Sequence, residues 1–413
     1  MRVAVLGAGV IGVTTAYYLA ERGHSVTVFD RAASVASQTS FANGAQLSYS
    51  YTDAMARPEF VPGIPGLMLG LDPAVRVRTL GNLALLPWGL RFLAQCTTAR
   101  ARANTLDVLK IALRSRDLLS ELQQRLDLEF AHRRAGKLVL LTDEAAVVGA
   151  RKRAEMKRSC GCETRVLTPA QALEIEPALA AMEGTFAGAV YSDGDEVGDP
   201  LDFSVELAGW LSSNRQVELR LSEEVTAICS KRDRLTGIRT RQGEFQFDAV
   251  VVCLGPWSAT LLKPLDINPH ICPVRGYSIT LPPGEQAPSV SITSLKHRMV
   301  FSRVGEVIRI AGFADFLGTD TRKDEQRITT LLNTALRIAP MAADYGAADK
   351  QPWGGFRAMT PSGRPLVGTT RIPGLFVNVG HGMLGWTLAC ATAQDAASAV
   401  SVNTVVSYPR LPS

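Results

Sequence analysis

Three glycines near the start of the chain have the spacing of a dinucleotide-binding turn. Gly7, Gly9 and Gly12 follow a short apolar run at 3–6, and apolar residues at helical spacing predict a helix over about 10–22. The first glycine permits the tight bend, the second lets the backbone approach a pyrophosphate, and the third lets the helix pack close to the strand. The helix N-terminus would present free N–H groups to the phosphates.

An acidic residue stands where such a site needs one. The second predicted strand, 26–29, ends at Asp30, 18 residues beyond Gly12. A carboxylate at this distance can accept hydrogen bonds from ribose hydroxyls. The segment therefore predicts binding of a dinucleotide with a free 2′-hydroxyl.

The rest of the chain favours FAD over NAD as that dinucleotide. A nicotinamide domain would continue with alternating strands and helices for about 150 residues. Here a polar stretch, 38–46, and a segment broken by proline and glycine follow Asp30 instead. A strand running into a glycine turn recurs only at 249–257 and 375–386, and the latter leads into an alanine-rich helix to about residue 400. Three such elements converging on one extended ligand are typical of an FAD site.

Five motifs make the sequence resemble a known family of flavoenzymes. They are 5–12 (VLGAGVIG), 39–43 (TSFAN), 273–278 (PVRGYS), 355–361 (GFRAMTP) and 378–387 (NVGHGMLGWT). The chain resembles, over nearly its whole length, the FAD-dependent D-amino acid dehydrogenase small subunit family within the glycine oxidase/D-amino acid oxidase-like superfamily. The first motif is shared with many flavoproteins, and the last two are specific to this group.

The resemblance implies an α/β fold of two domains. The first is a Rossmann-like FAD-binding domain of the glutathione reductase/D-amino acid oxidase type, expected to be discontinuous over 1–85, 190–262 and 340–413. A substrate domain built on a mostly antiparallel sheet is expected over 86–189 and 263–339. Candidate strands of that sheet are 137–142, 275–281, 299–303 and 307–313, and 100–126 is expected to be a helix.

Cofactor-binding residues follow from these motifs, with Val225 placed near the adenine by family analogy. They are Gly7, Gly9, Val10, Ile11, Gly12, Asp30, Arg31, Ser40, Asn43, Gly44, Ala45, Gln46, Val225, Gly255, Trp257, Gly380, Gly382, Met383, Leu384 and Gly385. The N–H groups of the last turn and the dipole of the following helix would stabilise the reduced, anionic flavin.

Three residues are candidates for substrate chemistry. The family's carboxylate-binding residue falls on Arg357, and arginine suits that role because its planar fork pairs both oxygens; the alternative is an ion-paired surface arginine. Tyr277 could bond the carboxylate, form a wall of the pocket, or be a packed sheet tyrosine. His381 has a reference pKa suited to a general base; the alternatives are that it only lies near the flavin or holds its glycine-rich loop. Related oxidases have a tyrosine at what corresponds to Met299.

The reaction implied is oxidative deamination of D-amino acids. A hydride would pass from Cα to flavin N5, the imine would hydrolyse to a 2-oxo acid and ammonia, and D-proline or D-hydroxyproline would give a cyclic imine. Electrons would pass to a respiratory acceptor, a quinone or an electron-transfer partner. The alternatives are a glycine/sarcosine-type oxidase that uses oxygen, and a partner-dependent FAD subunit of a larger dehydrogenase complex.

Composition restricts the class of protein and its location. The 413 residues carry a formal net charge of +5, which is too weak for a nucleic-acid binder, and their 46% hydrophobic content is that of a globular protein. Seven scattered cysteines and the lack of a signal or transmembrane segment predict a cytoplasmic protein.

Two further segments allow opposing interpretations. The acidic residues of 193–199 lack calcium-loop spacing and are expected to form a solvated loop, with no metal site. Residues 64–96 combine leucines, tryptophan and arginines. They could lie on the inner face of the cytoplasmic membrane as a peripheral contact, or form a helical hairpin over the core or a subunit interface.

Overall fold

A computed structural model describes residues 1–78, 85–182, 184–213 and 217–402. The strands are β1 Arg2–Leu6, β2 Ser25–Phe29, β3 Gln46–Leu47, β4 Val75–Val77, β5 Lys137–Leu141, β6 Arg165–Leu167, β7 Gly188–Ser192, β8 Glu196–Val197, β9 Val217–Arg220, β10 Val225–Lys231, β11 Arg234–Thr240, β12 Gly243–Gln246, β13 Ala249–Val252, β14 Cys272–Leu281, β15 Ser291–Ser294, β16 Met299–Val304, β17 Val307–Phe316, β18 Gln351–Met359, β19 Leu366–Thr369, β20 Leu375–Val379 and β21 His381–Gly382. The α-helices are α1 Val10–Glu21, α2 Ile64–Met68, α3 Leu85–Gln95, α4 Thr98–Leu126, α5 Glu144–Arg158, α6 Pro169–Ile175, α7 Pro200–Ser213, α8 Ser258–Leu262, α9 Glu325–Ile338 and α10 Gly385–Val402.

A six-stranded sheet brings the three strand–glycine-turn elements together. Its strand order is β19-β20-β13-β1-β2-β9, and all neighbours are parallel except β19 and β20. The central strands β13 and β1 are apolar from Ala249 to Val252 and from Val3 to Leu6, because both faces of the sheet are covered. Helices α1, α7 and α10 share one core cluster on one face, and the antiparallel ribbon β10–β12 packs on the other. The predicted convergence of the three elements is confirmed.

The second sheet has ten strands and is mostly antiparallel. Its order is β21-β18-β14-β17-β16-β15-β5-β7-β6, with β4 paired to β17, and only β5–β15 and β4–β17 run parallel. The four strands predicted between 137 and 313 all lie in it. Helix α9 covers one face through Leu331, Ala335 and Ile338. The expected fold class is therefore confirmed.

The two sheets are joined directly at one turn. Strand β20 ends at Val379 in the parallel sheet. After Gly380, His381 and Gly382 pair as β21 with Met359 and Ala358 of β18. The turn therefore ties the second sheet to the carboxyl edge of the first. Strands β4 and β18, which fall within 1–85 and 340–413, pair in the ten-stranded sheet. The proposed domain boundaries stay a prediction.

The acidic segment is not the solvated loop that the sequence predicts. Asp195, Glu196 and Asp199 are buried, because each carboxylate has partners inside the protein. Asp195 accepts from Ser50, Glu196 accepts from Tyr49, and Asp199 lies 3.0 Å from Nη2 of Arg309. These carboxylates hold the 46–50 segment and the ten-stranded sheet together.

The segment 64–96 is not a simple helical hairpin in its described part, since β4 lies between α2 and α3. Helix α3 buries Trp88 and Phe92 and leaves Leu86, Leu90 and Leu93 exposed. Over the described ranges, none of the helices combines the length and apolar character needed to cross a bilayer.

Candidate active site

A cavity of about 790 Å³ lies where the carboxyl edge of the parallel sheet meets the ten-stranded sheet. The last residues of β1, β2 and β20, and Cys253 directly after β13, line it on one side. Ser278, Val300 and Ala311 of the second sheet line it on another. Crevices outside the carboxyl ends of parallel strands are the usual ligand sites of such sheets. Its volume lies in the range of cofactor and ligand pockets.

The glycine turn after β1 is shaped as the motif requires. Gly7 has φ +106°, and a Cβ there would lie 2.7 Å from the Cys253 carbonyl oxygen. A Cβ at Gly12 would lie 1.7 Å from the Gly7 carbonyl oxygen. Any larger residue at position 12 would force α1 away from the turn, and the N-terminus of α1 would no longer face the cavity.

Asp30 organises the same turn from the end of β2. Its two carboxylate oxygens accept the backbone N–H groups of Ala8 at 2.7 Å and Ala32 at 2.9 Å. The side chain also lines the cavity. Each oxygen keeps a lone pair, so the carboxylate can accept a further bond from a ligand hydroxyl.

The structure brings most of the predicted cofactor residues to the cavity wall. They are Gly7, Gly9, Val10, Ile11, Asp30, Arg31, Ser40, Asn43, Gly44, Gln46, Val225, Gly255, Trp257, Gly382, Met383, Leu384 and Gly385. Gly12, Ala45 and Gly380 do not line it. Ala45 and Gly380 adopt positive φ, and a Cβ at Gly380 would lie 2.6 Å from Cγ2 of Thr360, so these two residues shape turns behind the wall.

Two of the predicted cofactor residues use their side chains for hydrogen bonds within the protein. Asn43 Oδ1 accepts the Ala45 N–H at 2.8 Å. The Gln46 amide donates to Ser291 Oγ at 2.5 Å and accepts from Lys137 Nζ at 2.9 Å. Both residues therefore hold the shape of the 43–48 segment.

Arg357 lines the cavity without a carboxylate partner in the part of the chain that the structure describes. Its side chain is half-buried, and its one hydrogen bond runs from Nη1 to the Phe313 carbonyl oxygen at 2.7 Å. Burial lowers the pKa of the guanidinium, yet arginine stays charged at any physiological pH. A cation that lacks a counterion and faces a cavity is suited to an anionic ligand. The alternative of an ion-paired surface arginine does not describe this residue.

Tyr277 has its hydroxyl engaged elsewhere. The phenol donates to Asp315 Oδ2 at 2.9 Å, and Asp315 Oδ1 accepts from Arg327 of α9 at 2.7 Å. Neighbouring Ser278 instead donates to the Ala42 carbonyl, because adjacent strand residues point to opposite faces. Tyr277 is among the residues that line the cavity, and its hydroxyl lies on the α9 face of the sheet. Of the interpretations of Tyr277, the wall and the packed sheet tyrosine fit its contacts.

His381 is buried at the cavity wall and tied to α10. Its Nε2 lies 3.1 Å from Thr392 Oγ1, whose own proton is directed to the Leu388 carbonyl at 3.0 Å. The imidazole therefore donates from Nε2. Burial lowers the pKa of His381 to about 3. Because a general base needs a pKa near the working pH, this contact favours the loop-holding role over the proton-accepting one.

Lys137 is a cavity residue that sequence reasoning missed. Its ammonium donates to Gln46 Oε1 at 2.9 Å and Ser48 Oγ at 2.7 Å, and lies 4.5 Å from the centre of the Tyr51 ring. Burial lowers the pKa of Lys137 to about 8. A lone lysine opening a predicted strand carries no sequence signal of this role.

Gly276 was missed as well, although a signal existed. A glycine within a run of strand residues often marks a bulge or a close approach of another group. A Cβ at Gly276 would lie 2.6 Å from Nη2 of Arg357.

The chain matches one family model almost from end to end. The model is described as FAD dependent oxidoreductase (DAO), and it matches residues 2–399. The chain belongs to this family. The expected cofactor, FAD, is thereby established, and the glycine turn and Asp30 fit its pyrophosphate and ribose.

Curated relatives and solved structures agree with this assignment. The chain is 39% identical over 402 residues to D-amino acid dehydrogenase 2 of Ralstonia nicotianae, covering 95% of both chains. It is 38% identical over 404 residues to D-amino acid dehydrogenase of Paramagnetospirillum magneticum, covering 97% of this chain and 95% of that one.

Among solved structures, L-proline dehydrogenase from P. horikoshii superposes with a TM-score of 0.75 at 18% identity, covering 100% of this chain and 95% of the other. Glycine oxidase from Geobacillus kaustophilus gives 0.74 at 22% identity, covering 100% and 98%. These two structures establish the shared fold.

Proposed function

We propose that the protein is a dehydrogenase that oxidises D-amino acids, or cyclic amino acids such as D-proline, at the Cα–N bond. The names of its relatives support the substrate class. The observation that carries the proposal is Arg357, a cation at the cavity wall with no protein carboxylate within 4 Å in the described ranges. An amino acid brings the carboxylate that this residue lacks.

Arg357 binds and orients the substrate in this proposal. Its remaining N–H groups pair with both carboxylate oxygens, a geometry that a planar guanidinium favours. The substrate is thereby held with its Cα–H facing the cofactor. When bound, FAD supplies the two-electron acceptor for that hydrogen. His381 stays neutral, so the amine must enter without its extra proton, which leaves to solvent.

The turn before α10 contributes charge stabilisation. Gly382, Met383, Leu384 and Gly385 line the cavity at the start of an 18-residue helix. The positive end of the helix dipole favours negative charge next to it. These residues would hold the pyrimidine part of the flavin and stabilise the negative charge that it gains on reduction.

The carboxylate role of Arg357 is tested by Arg357→Ala. Loss of a charge-assisted bidentate pair costs about 2–4 kcal/mol, so kcat/KM for D-alanine and D-proline should fall about 30- to 1000-fold. The visible flavin spectrum and the melting temperature should stay close to those of the wild type. Arg303→Ala is the control, because Arg303 is an arginine of the same sheet that pairs with exposed Glu306. Equal kinetics for Arg357→Ala and the control would refute the role.

We further propose that electrons leave to a quinone or an electron-transfer protein at the inner face of the cytoplasmic membrane. Leu86, Leu90 and Leu93 recur at helical spacing on the exposed face of α3, with Leu90 69% exposed. Leu69 and Leu71, after α2, are also exposed. Both helices rest on the cluster that contains Trp88 and Phe92. Exposed leucines beside arginines suit the surface of an anionic bilayer.

Sedimentation with anionic phospholipid vesicles tests this contact. Leu90→Glu should reduce the bound fraction severalfold, because a carboxylate replaces apolar area and is repelled by anionic lipid. Val148→Glu, at an exposed valine of α5, should bind as the wild type does. If both variants bind alike, or if the wild type does not bind, the membrane contact is excluded.

A further inference from the structure

Strand β17 carries a bulge next to Arg357. Along β14, Arg275 stands opposite Asp315 and Tyr277 opposite Gly312, so Phe313 and Ala314 both stand opposite Gly276. Phe313 has φ +65°. A bulky residue rarely adopts this conformation, and its surroundings must therefore hold it there.

The side chain of Arg357 crosses a whole strand to reach that bulge. Arg357 lies on β18 opposite Val274 of β14, while its Nη1 bonds Phe313 on β17, the strand beyond β14. The guanidinium passes over Gly276, where a Cβ would lie 2.6 Å from Nη2 and 2.7 Å from Cζ. Only glycine at position 276 leaves this path open.

The bulge also supplies the acceptor at the end of the path. In a regular antiparallel ladder the strand carbonyls bond the neighbouring strand, whereas a bulge leaves one residue unpaired. The Phe313 carbonyl is free to accept from Arg357 at 2.7 Å. The carboxylate of nearby Asp315 accepts from Arg327 and Tyr277 instead of Arg357.

We propose that Gly276 and the Phe313 bulge are positioning residues for Arg357, which hold its guanidinium across β14 with the other N–H groups facing the cavity. This inference rests on the proposed role of Arg357 in binding the substrate carboxylate. The role explains why Phe313, with its strained backbone, and Gly276, a glycine within a strand, stand opposite each other.

A double-mutant cycle tests the inference with two readouts. The variants are Gly276→Ala, Arg357→Ala and their combination, and Gly209→Ala on α7, where a Cβ meets nothing within 4 Å, is the control. The first readout is binding of propionate, which is alanine without its amine, followed through the flavin spectrum. The second is kcat/KM for D-alanine and D-proline. Misplacing an orienting group by about 1 Å can lower a reaction rate about 100-fold. We therefore expect Gly276→Ala to lower both the affinity for propionate and kcat/KM by about that factor.

The double variant shows whether Gly276 acts through Arg357. If Gly276 acts through Arg357, then Gly276→Ala should change either readout by no more than about twofold once Arg357 is alanine. An equal loss in both backgrounds would overturn the positioning role and leave the carboxylate role standing. If Arg357→Ala alone changes neither readout, the proposed function fails, which is a different result.

A matched pair at Phe313 keeps the test valid if Gly276→Ala does not fold. Phe313→Leu and Phe313→Ile lose the same ring and introduce isomeric side chains. Isoleucine is β-branched and resists positive φ more strongly than leucine does. We expect propionate to bind about tenfold more weakly to the isoleucine variant, from the strain that a β-branched residue meets there. Equal binding by the two variants would overturn the role of the bulge.

Discussion

At the scale of single residues, the site depends on which charged groups the protein leaves without a partner. Asp315 accepts from Arg327 and Tyr277, and Asp199 is paired with Arg309. Arg357 alone among these has only a carbonyl as its partner. The remaining N–H groups of the Arg357 guanidinium are thus left for an anionic ligand.

His381 gives a prediction about acid stability. Its pKa is about 3 in the folded protein and near 6.5 in the unfolded chain. As the pH falls below about 6.5, the unfolded chain takes up a proton that the folded protein does not, so stability is lost on acidification. The loss approaches about 1.4 kcal/mol per pH unit from this group.

The measurement compares melting temperatures of the wild type and His381→Gln between pH 7.5 and 5. Glutamine can still donate to Thr392 but does not titrate. The variant should lose less stability over this range than the wild type, and parallel losses would show that His381 is protonated in the folded protein.

At the scale of elements, we propose that the β1–α1–β2 unit positions the cofactor through the turn that follows β1. Asp30 ties that turn through two backbone N–H groups and lines the cavity. Asp30→Ala removes both bonds and the proposed acceptor for the ribose, at a cost of about 1–3 kcal/mol for each charged hydrogen bond. FAD should therefore bind at least about tenfold more weakly.

Reconstitution of apoprotein, followed by quenching of flavin fluorescence, measures that affinity. Asp248→Ala is the matched control, because Asp248 also accepts a backbone N–H of the same sheet, that of Arg2, at the opposite edge. A normal FAD affinity in Asp30→Ala would contradict the assigned role, whereas a loss shared with the control would indicate damage to the sheet.

These elements were largely predictable because their signals are local. The glycine spacing, the apolar runs and Asp30 lie within thirty residues and fix a turn whose geometry few sequences can form. The positions of Lys137, Asp315 and Phe313 depend on pairing between strands distant in sequence. A single sequence does not contain the register of those strands. The acidic segment was misjudged for the same reason, since Arg309, its partner, lies 110 residues away.

At the scale of the whole molecule, the two sheets enclose the cavity and α2 and α3 form the surface beside it. Trp88 of α3 donates to the Met359 carbonyl of β18, two residues beyond Arg357. The helix that carries the exposed leucines Leu86, Leu90 and Leu93 therefore contacts the strand that carries Arg357, the candidate substrate-binding residue. This proximity suits an enzyme that passes electrons to an acceptor at a membrane.

That arrangement predicts which acceptor reoxidises the protein. After reduction by substrate under nitrogen, a soluble quinone should restore the flavin spectrum much faster than air-saturated buffer does. Stopped-flow mixing with each acceptor measures the two rates. Fast reoxidation by oxygen with formation of peroxide would identify an oxidase instead, and no reoxidation by either would point to a missing partner subunit.

The most direct test of the account is the visible spectrum of the purified protein during anaerobic addition of paired D- and L-amino acids. We predict that the D-enantiomers bleach the flavin band and that their L-enantiomers leave it unchanged. Bleaching by the L-enantiomers, or by neither set, would contradict the proposal that this protein oxidises D-amino acids.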